Sequence, residues 1–517
     1  MSIPSVLLSG VKNESQDLTI TTDVLEPNVL NSNQAVFVIP KKGSVLDSKS
    51  ALKVRVSWEG FVNATTTDVG GKLFSGILGM IKNARLYASG QLISRLDHAG
   101  EKIHLDNQFK SQEYKEQYCD VKHLSNSGFM VANDSAQSGL NGAIINDDVM
   151  NTRGVDAGGL TVLVEDYYRG LGRDANADVA NGGKPGNLGG NNGVEMFLLL
   201  EEIFPMLKDI QLPVRFLKDE IRLEIDWEQD KTKWLYTSGT ALAGGSGLND
   251  VGTINISSCV LFLDYITYNP EIDASLEATL NGTGVSIPFR QTAIITKVLP
   301  ANLAAGTIKE DVLIGQEGRA IMKLYIAKKY PKVLTGKQQD LNQGFNLQGE
   351  CRSEHLLGQK YNFVVNDLLI YDRDVENPKE SYNYFCYTGE KQATCYPDAW
   401  EYNDNYDAQS ATNDVLYSVN ATNNGDQPIL TQASALKGLV KDGIRGQQNW
   451  DCVDLSKYGS QLNPQNAMRI GSTPIIYRLS RTTENDVRTG GAVSLTIFVE
   501  YLRLFDLRAG ELAVRDL

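Results

Sequence analysis

Four histidines come first among residues that could do chemistry: His98, His104, His123 and His355. His98 and His104 are six apart, the wrong spacing for two metal ligands on one helix face. Asp97, His98 and Glu101 cluster in a charged stretch, where a solvated face or an inter-subunit salt bridge accounts for them. His355 follows Glu354 with no second histidine, so the helical zinc-protease motif is absent. Asp174, Asn176 and Asp178 imitate the opening of a calcium loop. Val179 then stands where the turn needs glycine, and Pro185 where the bidentate glutamate belongs. Asn403, Asp404, Asn405 and Asp407 read as solvated turn residues. Gly170-Leu-Gly172-Arg-Asp-Ala175 fits the loose dinucleotide fingerprint, but the residues after it form no helix whose N-terminus would meet a pyrophosphate. Gly70-Gly71-Lys72 lacks the spacing and the Ser/Thr of a phosphate loop, and there is no G-x-S-x-G elbow. Asp372 and Asp374 would make an acid pair, yet Arg373 between them and Pro378 beyond read as a turn ending a strand. The expectation is no catalytic, cofactor-binding or metal site, no cofactor, and no enzyme.

The remaining reactive groups point the same way. Cys119, Cys259, Cys351, Cys386, Cys395 and Cys452 are too sparse for a disulfide scaffold, and none forms C-x-x-C. They read as free thiols of a protein made in a reducing compartment, with Cys386 and Cys395 the closest pair should the loop be oxidised. The 517 residues carry 49 basic and 63 acidic side chains, a net charge of −14. That argues against a dedicated nucleic-acid binder, which would show a basic domain or stripe. Lys41-Lys42, Lys328-Lys329 and the Arg/Lys residues near 102 to 122 are expected to be solvated or to meet neighbouring subunits. The start has no basic region ahead of an apolar run, and no window approaches 18 uninterrupted apolar residues. Synthesis in the cytosol is the expectation.

The elements that carry these residues show a period of two. Leu52, Val54, Val56 and Trp58 alternate with Lys53, Arg55, Ser57 and Glu59, and Ile221, Leu223, Ile225 and Trp227 with Arg222, Glu224, Asp226 and Glu228. Side chains of a strand point to opposite faces in turn, so each run lays an apolar stripe on a core and a charged stripe toward water. The runs 35–39, 260–266, 294–299, 320–327, 362–371 and 493–505 are apolar on both faces and suit strands covered on two sides. A 3.6-residue period through Met196, Leu200, Ile203, Phe204 and Leu207 predicts one helix limited by Pro205, and 111–118 a second, short one. The fold class is all-β with a few short helices.

Two stretches break the pattern. Residues 130–195 are poor in large apolar side chains, and 379–450 are rich in Asn, Asp, Thr, Ser and Tyr. Both are far longer than a common loop of about 4–6 residues, and each lies within one half of the chain. They read as excursions from two rigid β frames; Tyr167, Tyr168, Tyr382, Tyr384, Trp400 and Tyr402 suggest that parts of them pack on neighbours. Leu261-Phe-Leu-Asp-Tyr-Ile-Thr267 also resembles Ile497-Phe-Val-Glu-Tyr-Leu-Arg503, an offset of 236 residues. Together with the matching placement of the two excursions, this suggests a duplicated unit.

Several segments, in order, resemble the major capsid protein of tailless double-jelly-roll DNA viruses, most of all the polinton-like and virophage group, with relatives among nucleocytoplasmic large DNA viruses and the adenovirus hexon. They are Gly76-Ile-Leu-Gly-Met-Ile-Lys-Asn-Ala-Arg-Leu86, Ser89-Gly-Gln-Leu-Ile93, Leu212-Pro-Val-Arg-Phe-Leu217 leading into Ile221–Trp227, Arg469-Ile-Gly-Ser-Thr-Pro-Ile-Ile476 and Leu495–Arg503. No one of them is specific; the ordered set is. The resemblance implies two eight-stranded antiparallel jelly rolls: an N-terminal arm over 1–33, a first barrel over 34–270 with its insertion at about 130–195, and a second over 271–517 with its insertion at about 379–450. Residues 504–517 are a second candidate arm. It further implies a structural subunit that forms a homotrimer, a pseudo-hexameric capsomer tiling an icosahedral virion. Neighbouring capsomers, penton and minor capsid or cement proteins would be its partners. No specific nucleic-acid binding is expected, and contact with an internal membrane is left open. Synthesis would be in the host cytoplasm, and assembly there or in the nucleus. The other reading is a β-sandwich carbohydrate-binding or attachment protein, with Tyr167, Trp400 and Tyr402 as stacking residues.

Overall fold

A computed structural model describes residues 18–59, 70–73, 76–107, 109–111, 114, 118, 122–123, 128–131, 143–146, 194–229, 235–238, 253–329, 353, 356, 358–376, 378–389, 450–458, 467–483 and 491–517. Strands dominate. The first half contains β1 (Leu18–Leu25), β2 (Val29–Leu30), β3 (Gln34–Ile39), β4 (Val45–Leu46), β5 (Ala51–Glu59), β6 (Gly70–Leu73), β7 (Ile81–Ala88), β8 (Gln91–Asp97), β9 (Gly128–Val131), β10 (Ala143–Asn146), β11 (Val194–Leu199), β12 (Ile221–Trp227), β13 (Leu235–Ser238) and β14 (Thr253–Tyr268). After the helix Pro270–Asn281 come β15 (Val285–Leu299), β16 (Gly306–Gly315), β17 (Ala320–Lys329), β18 (Lys360–Val365), β19 (Leu368–Leu369), β20 (Asp451–Asp454), β21 (Met468–Arg469), β22 (Ile475–Thr483), β23 (Val493–Arg508) and β24 (Glu511–Asp516).

The pairing repeats. The first half has one sheet in the order β1-β14-β5-β11 and another with β3-β12-β7-β8; the second half has β15-β23-β17-β20 and β16-β22-β18-β19. In chain order the eight main strands of each half deal themselves to the two sheets in the same way, and the ladders are antiparallel. That connectivity is a jelly roll, and it occurs twice. The similar segments 261–267 and 497–503 fall in β14 and β23, which hold equivalent places.

Each barrel has its own core. The alternating residues of β5 and β12 do what their spacing requires: Leu52, Val54, Val56, Ile221, Leu223, Ile225 and Trp227 are buried together with Phe37, Leu86, Leu198 and Leu261. In the second barrel Leu324, Ile326, Phe363, Tyr477, Ile497 and Val499 form the matching core. The long strand β23 is covered on both faces. Its odd-numbered residues Val493 to Tyr501 enter the second core, while Phe498 packs behind it with Leu105, Tyr325 and Trp450. Farther along, Phe505 and Leu507 join the first core. Sixteen residues at strand rise span about 50 Å, so one strand runs from one barrel into the other.

Three readings of the sequence change. The helix expected from Met196 begins as strand β11, in which Met196 and Leu198 are buried and alternate with outward residues; only then follow the short helices Leu200–Ile203 and Met206–Asp209. The run 362–371 is a hairpin, not one strand, because Asn366 and Asp367 both adopt positive φ and reverse the chain between β18 and β19. Lys328 and Lys329, expected on the surface, are buried. Residues 18–33, within the expected arm, carry β1 and β2, and β1 pairs with β14 along its whole length. Residues 509–517 turn back as β24 onto β23. The helix expected over 111–118 lies mostly outside the described residues, as do residues 1–17, His355, Cys119, Cys351, Cys395, Trp400, Tyr402, the glycine cluster 170–193 and the Asn/Asp group 403–407.

Candidate functional site at the seam between the barrels

The helix Ala99–Asn107 follows β8 after His98, whose φ of 45° turns the chain. It can sit against the helix Gly76–Met80 only because residue 100 is glycine: a Cβ there would lie 1.9 Å from the Leu78 carbonyl oxygen. Once seated, the helix is buried almost all round, including Glu101 and Lys102. Both charges face the second barrel. Lys102 Nζ lies 2.9 Å from Glu500 Oε1 on β23 and 2.5 Å from Asp106 Oδ1. Glu101 pairs with Lys329 on β17. Desolvation opposes charge on Lys102, but Asp106 and Glu500 outweigh it and hold its pKa above the usual lysine value. Desolvation likewise opposes ionisation of Glu500; Lys102 and Lys323 reverse that, and its pKa falls below the ordinary carboxylate value.

Polar contacts extend the seam in both directions. Asp209 accepts the Arg290 backbone N–H at 3.0 Å and its Nε at 3.3 Å. Ser94 donates to Gln291 Oε1 at 2.8 Å, Gln291 Nε2 donates to the Arg95 carbonyl at 2.5 Å, and Arg503 Nη1 donates to the Ile93 carbonyl at 3.0 Å. The connecting helix Pro270–Asn281 is capped by Asn269, whose side chain accepts from the Glu271 backbone N–H. Its buried Asp273 takes Ser44 Oγ and Arg215 Nη1, each at 2.6 Å. Beside the seam, Glu202 accepts from the Tyr114 hydroxyl and lies 3.0 Å from His123 Nε2. Burial works against its charge, but His123 and Tyr114 prevail and lower its pKa.

A cavity of roughly 130 Å³ opens between the barrels, lined among others by Lys102, Asp106, Lys208, Arg290, Lys323 and Glu500. Glu500 stands beside Lys102 with its pKa lowered, whereas general acid–base work needs an acid held neutral near a base. The arrangement is suited to locking two surfaces together. Among the described residues no group of three or more His, Cys, Asp or Glu gathers as metal ligands, and no helix is long and apolar enough to cross a membrane.

The residues singled out by sequence separate here. His98 and Glu101 flank the start of the seam helix, and Glu101 pairs within the chain, not across subunits. Lys102 and Lys329 join it, while Lys328 turns into the second core against Asp451. Lys41 and Lys42 stay exposed; Lys41 donates to the Leu217 and Lys218 carbonyls and Lys42 pairs with Asp23. Asp374 accepts from Asn362 at 3.2 Å and Arg373 bonds Glu380 at 3.0 Å, so that trio is turn structure. Glu500, Asp106, Asp209 and Arg290 were missed. An acid inside the apolar run 493–505 was the one available signal, since a charge within a two-face-apolar strand needs a partner.

No family model and no curated protein matches the sequence. The fold, however, is shared with solved structures. A chain of the Sputnik virophage structure is 12% identical with a TM-score of 0.56, covering 96% of this chain and 88% of that one. VP54 of PBCV-1, fitted into a reconstruction of Sputnik, is 9% identical with a TM-score of 0.54, covering 96% and 97%. The faustovirus major capsid protein is 10% identical with a TM-score of 0.51, covering 95% and 90%. The chain is a double jelly-roll protein. It resembles, over nearly its full length, double jelly-roll capsid proteins of icosahedral viruses.

Proposed function

We propose that this chain is a major capsid protein, a structural subunit and not an enzyme, whose trimers tile an icosahedral shell. The observation that carries this is the repeat itself. Two barrels of equal strand order stand in one chain, held by a buried charged seam and by strands that enter both cores. Three such pairs around an axis present six similar units, which suits hexagonal packing. The division falls at the helix Pro270–Asn281; with β1 counted in the first barrel, the two barrels span 18–270 and 271–517. The outer face of β1, where Leu18, Ile20 and Val24 are exposed, supplies apolar surface for contact between copies. Obligate contacts of this kind bury about 2,000–5,000 Å². The virion is then its place, host cytoplasm its site of synthesis, and penton and minor capsid proteins its further partners. Mass photometry of the purified chain tests the reading: a species at three times 56.8 kDa supports it, and a lone monomer at micromolar concentration overturns it.

A further inference from the structure

We propose that Lys328 and Asp451 condense to an intramolecular isopeptide bond inside the second barrel. β17 and β20 are adjacent and antiparallel, with Ile326 opposite Asp451. Lys328, two residues farther on, lies on the same face and points into the core, diagonal to Asp451. Both side chains are fully buried and Nζ contacts Asp451 Oδ1. Beyond that contact Nζ has no hydrogen-bond partner among the described residues; the ring of Tyr361 lies 5.9 Å away. Asp451, by contrast, is held on both oxygens. Gln359 Nε2 donates to Oδ1 at 2.8 Å and to Oδ2 at 2.9 Å, and the Tyr477 hydroxyl donates to Oδ2 at 2.5 Å.

A buried ammonium with a single contact is poorly solvated, and proton transfer to its partner removes both charges. Burial acts in that direction on each group, lowering the pKa of Lys328 and raising that of Asp451. The neutral pair is a primary amine in contact with a carboxylic acid, which are the reactants for an amide. Their fixed contact makes the reaction unimolecular. The Nζ lone pair attacks Cγ and a C–N bond forms. Gln359 donates to Oδ1 as negative charge develops there. The proton lost by nitrogen goes to the Oδ2 hydroxyl, to which the Tyr477 hydroxyl is hydrogen-bonded. The Cγ–Oδ2 bond breaks and one water leaves. No oxidant or reductant is consumed. The product is neutral, and its carbonyl keeps the Gln359 hydrogen bond.

The bond would close the chain between 328 and 451 into a ring and tie the edge strand β20 covalently to β17. This inference stands on the core of one barrel and does not depend on how copies assemble. Intact-mass measurement of the full chain, denatured and reduced, tests it. The expected mass is lower than that of the sequence by one water, and a tryptic digest yields a branched peptide joining residues 328 and 451 with no cleavage after Lys328. Lys328→Arg and Asp451→Ala then run at their full masses. A wild-type chain at its full mass, or a water loss that maps elsewhere, overturns the proposal whether or not the variants fold.

Discussion

Replacing Glu500 with glutamine removes one charge from the seam while keeping its volume. Lys102 is buried and then retains Asp106, which is 36% exposed, as its carboxylate partner. A hydrogen bond to a charged group contributes about 1.5–3 kcal/mol, and breaking a buried pair outright costs about 3–5 kcal/mol. Because Asp106 remains, a loss of about 2–3 kcal/mol is expected at neutral pH. The pH dependence has a definite sign. Glu500 has a folded pKa below its ordinary value of 4.5. Its stabilisation is therefore present above that value and disappears as pH falls through the folded pKa. Lys102 has a folded pKa above its ordinary 10.5, so its share persists through neutral pH and is lost only as pH rises through the folded value. The gap between wild type and Glu500→Gln should thus close in acid. Denaturant titration at pH 7 and at pH 3 reads both effects as shifts in midpoint. A cycle with Lys102→Met should give a coupling of more than about 1 kcal/mol, and the apolar double Lys102→Met/Glu500→Leu should regain most of the loss. A Glu500→Gln shift below about 0.5 kcal/mol at pH 7, within the range of an ordinary surface substitution, would refute the reasoning, as would a gap of unchanged size in acid.

Three further outcomes follow from single contacts. Gly100→Ala drives a methyl group into the Leu78 carbonyl and should cost about 3 kcal/mol, visible as a lower thermal midpoint; an unchanged midpoint contradicts the helix seating. Arg481 is fully buried, lies 3.3 Å from Glu310 and donates to the Pro300 carbonyl at 2.9 Å. Arg481→Leu should cost about 3–5 kcal/mol by stranding Glu310, and adding Glu310→Leu should restore part of it in the same denaturant assay. Burial pushes the Cys259 thiol up to about 12 and the Cys452 thiol up as well. Neither should react with a thiol reagent at pH 8 until the chain unfolds, and rapid labelling of the native protein would show that these barrels open.

Much of the frame is legible in the sequence alone. Leu52-Val54-Val56 and Ile221-Leu223-Ile225 announce their core faces because a strand's period of two is local geometry. The segments 261–267 and 497–503 pointed to equivalent strands because the same environment had to be filled twice. The hairpin at Asn366-Asp367 was readable too, since such residues favour positive φ; the apolar run around it hid the signal. Met196 misled because a strand followed by short helices mimics one helical period.

Lys102, Lys328 and Lys329 are a different matter. Read along the chain they are ordinary charged residues, and in the folded protein they are buried. What buries them is Glu500, Asp451 and Glu101, carried by other strands or by the other barrel. Local alternation is enough to fix which face of a strand is apolar. For Lys102 and Lys329, whether a charge can leave water depends on a counter-charge brought from hundreds of residues away, and only the assembled fold supplies it.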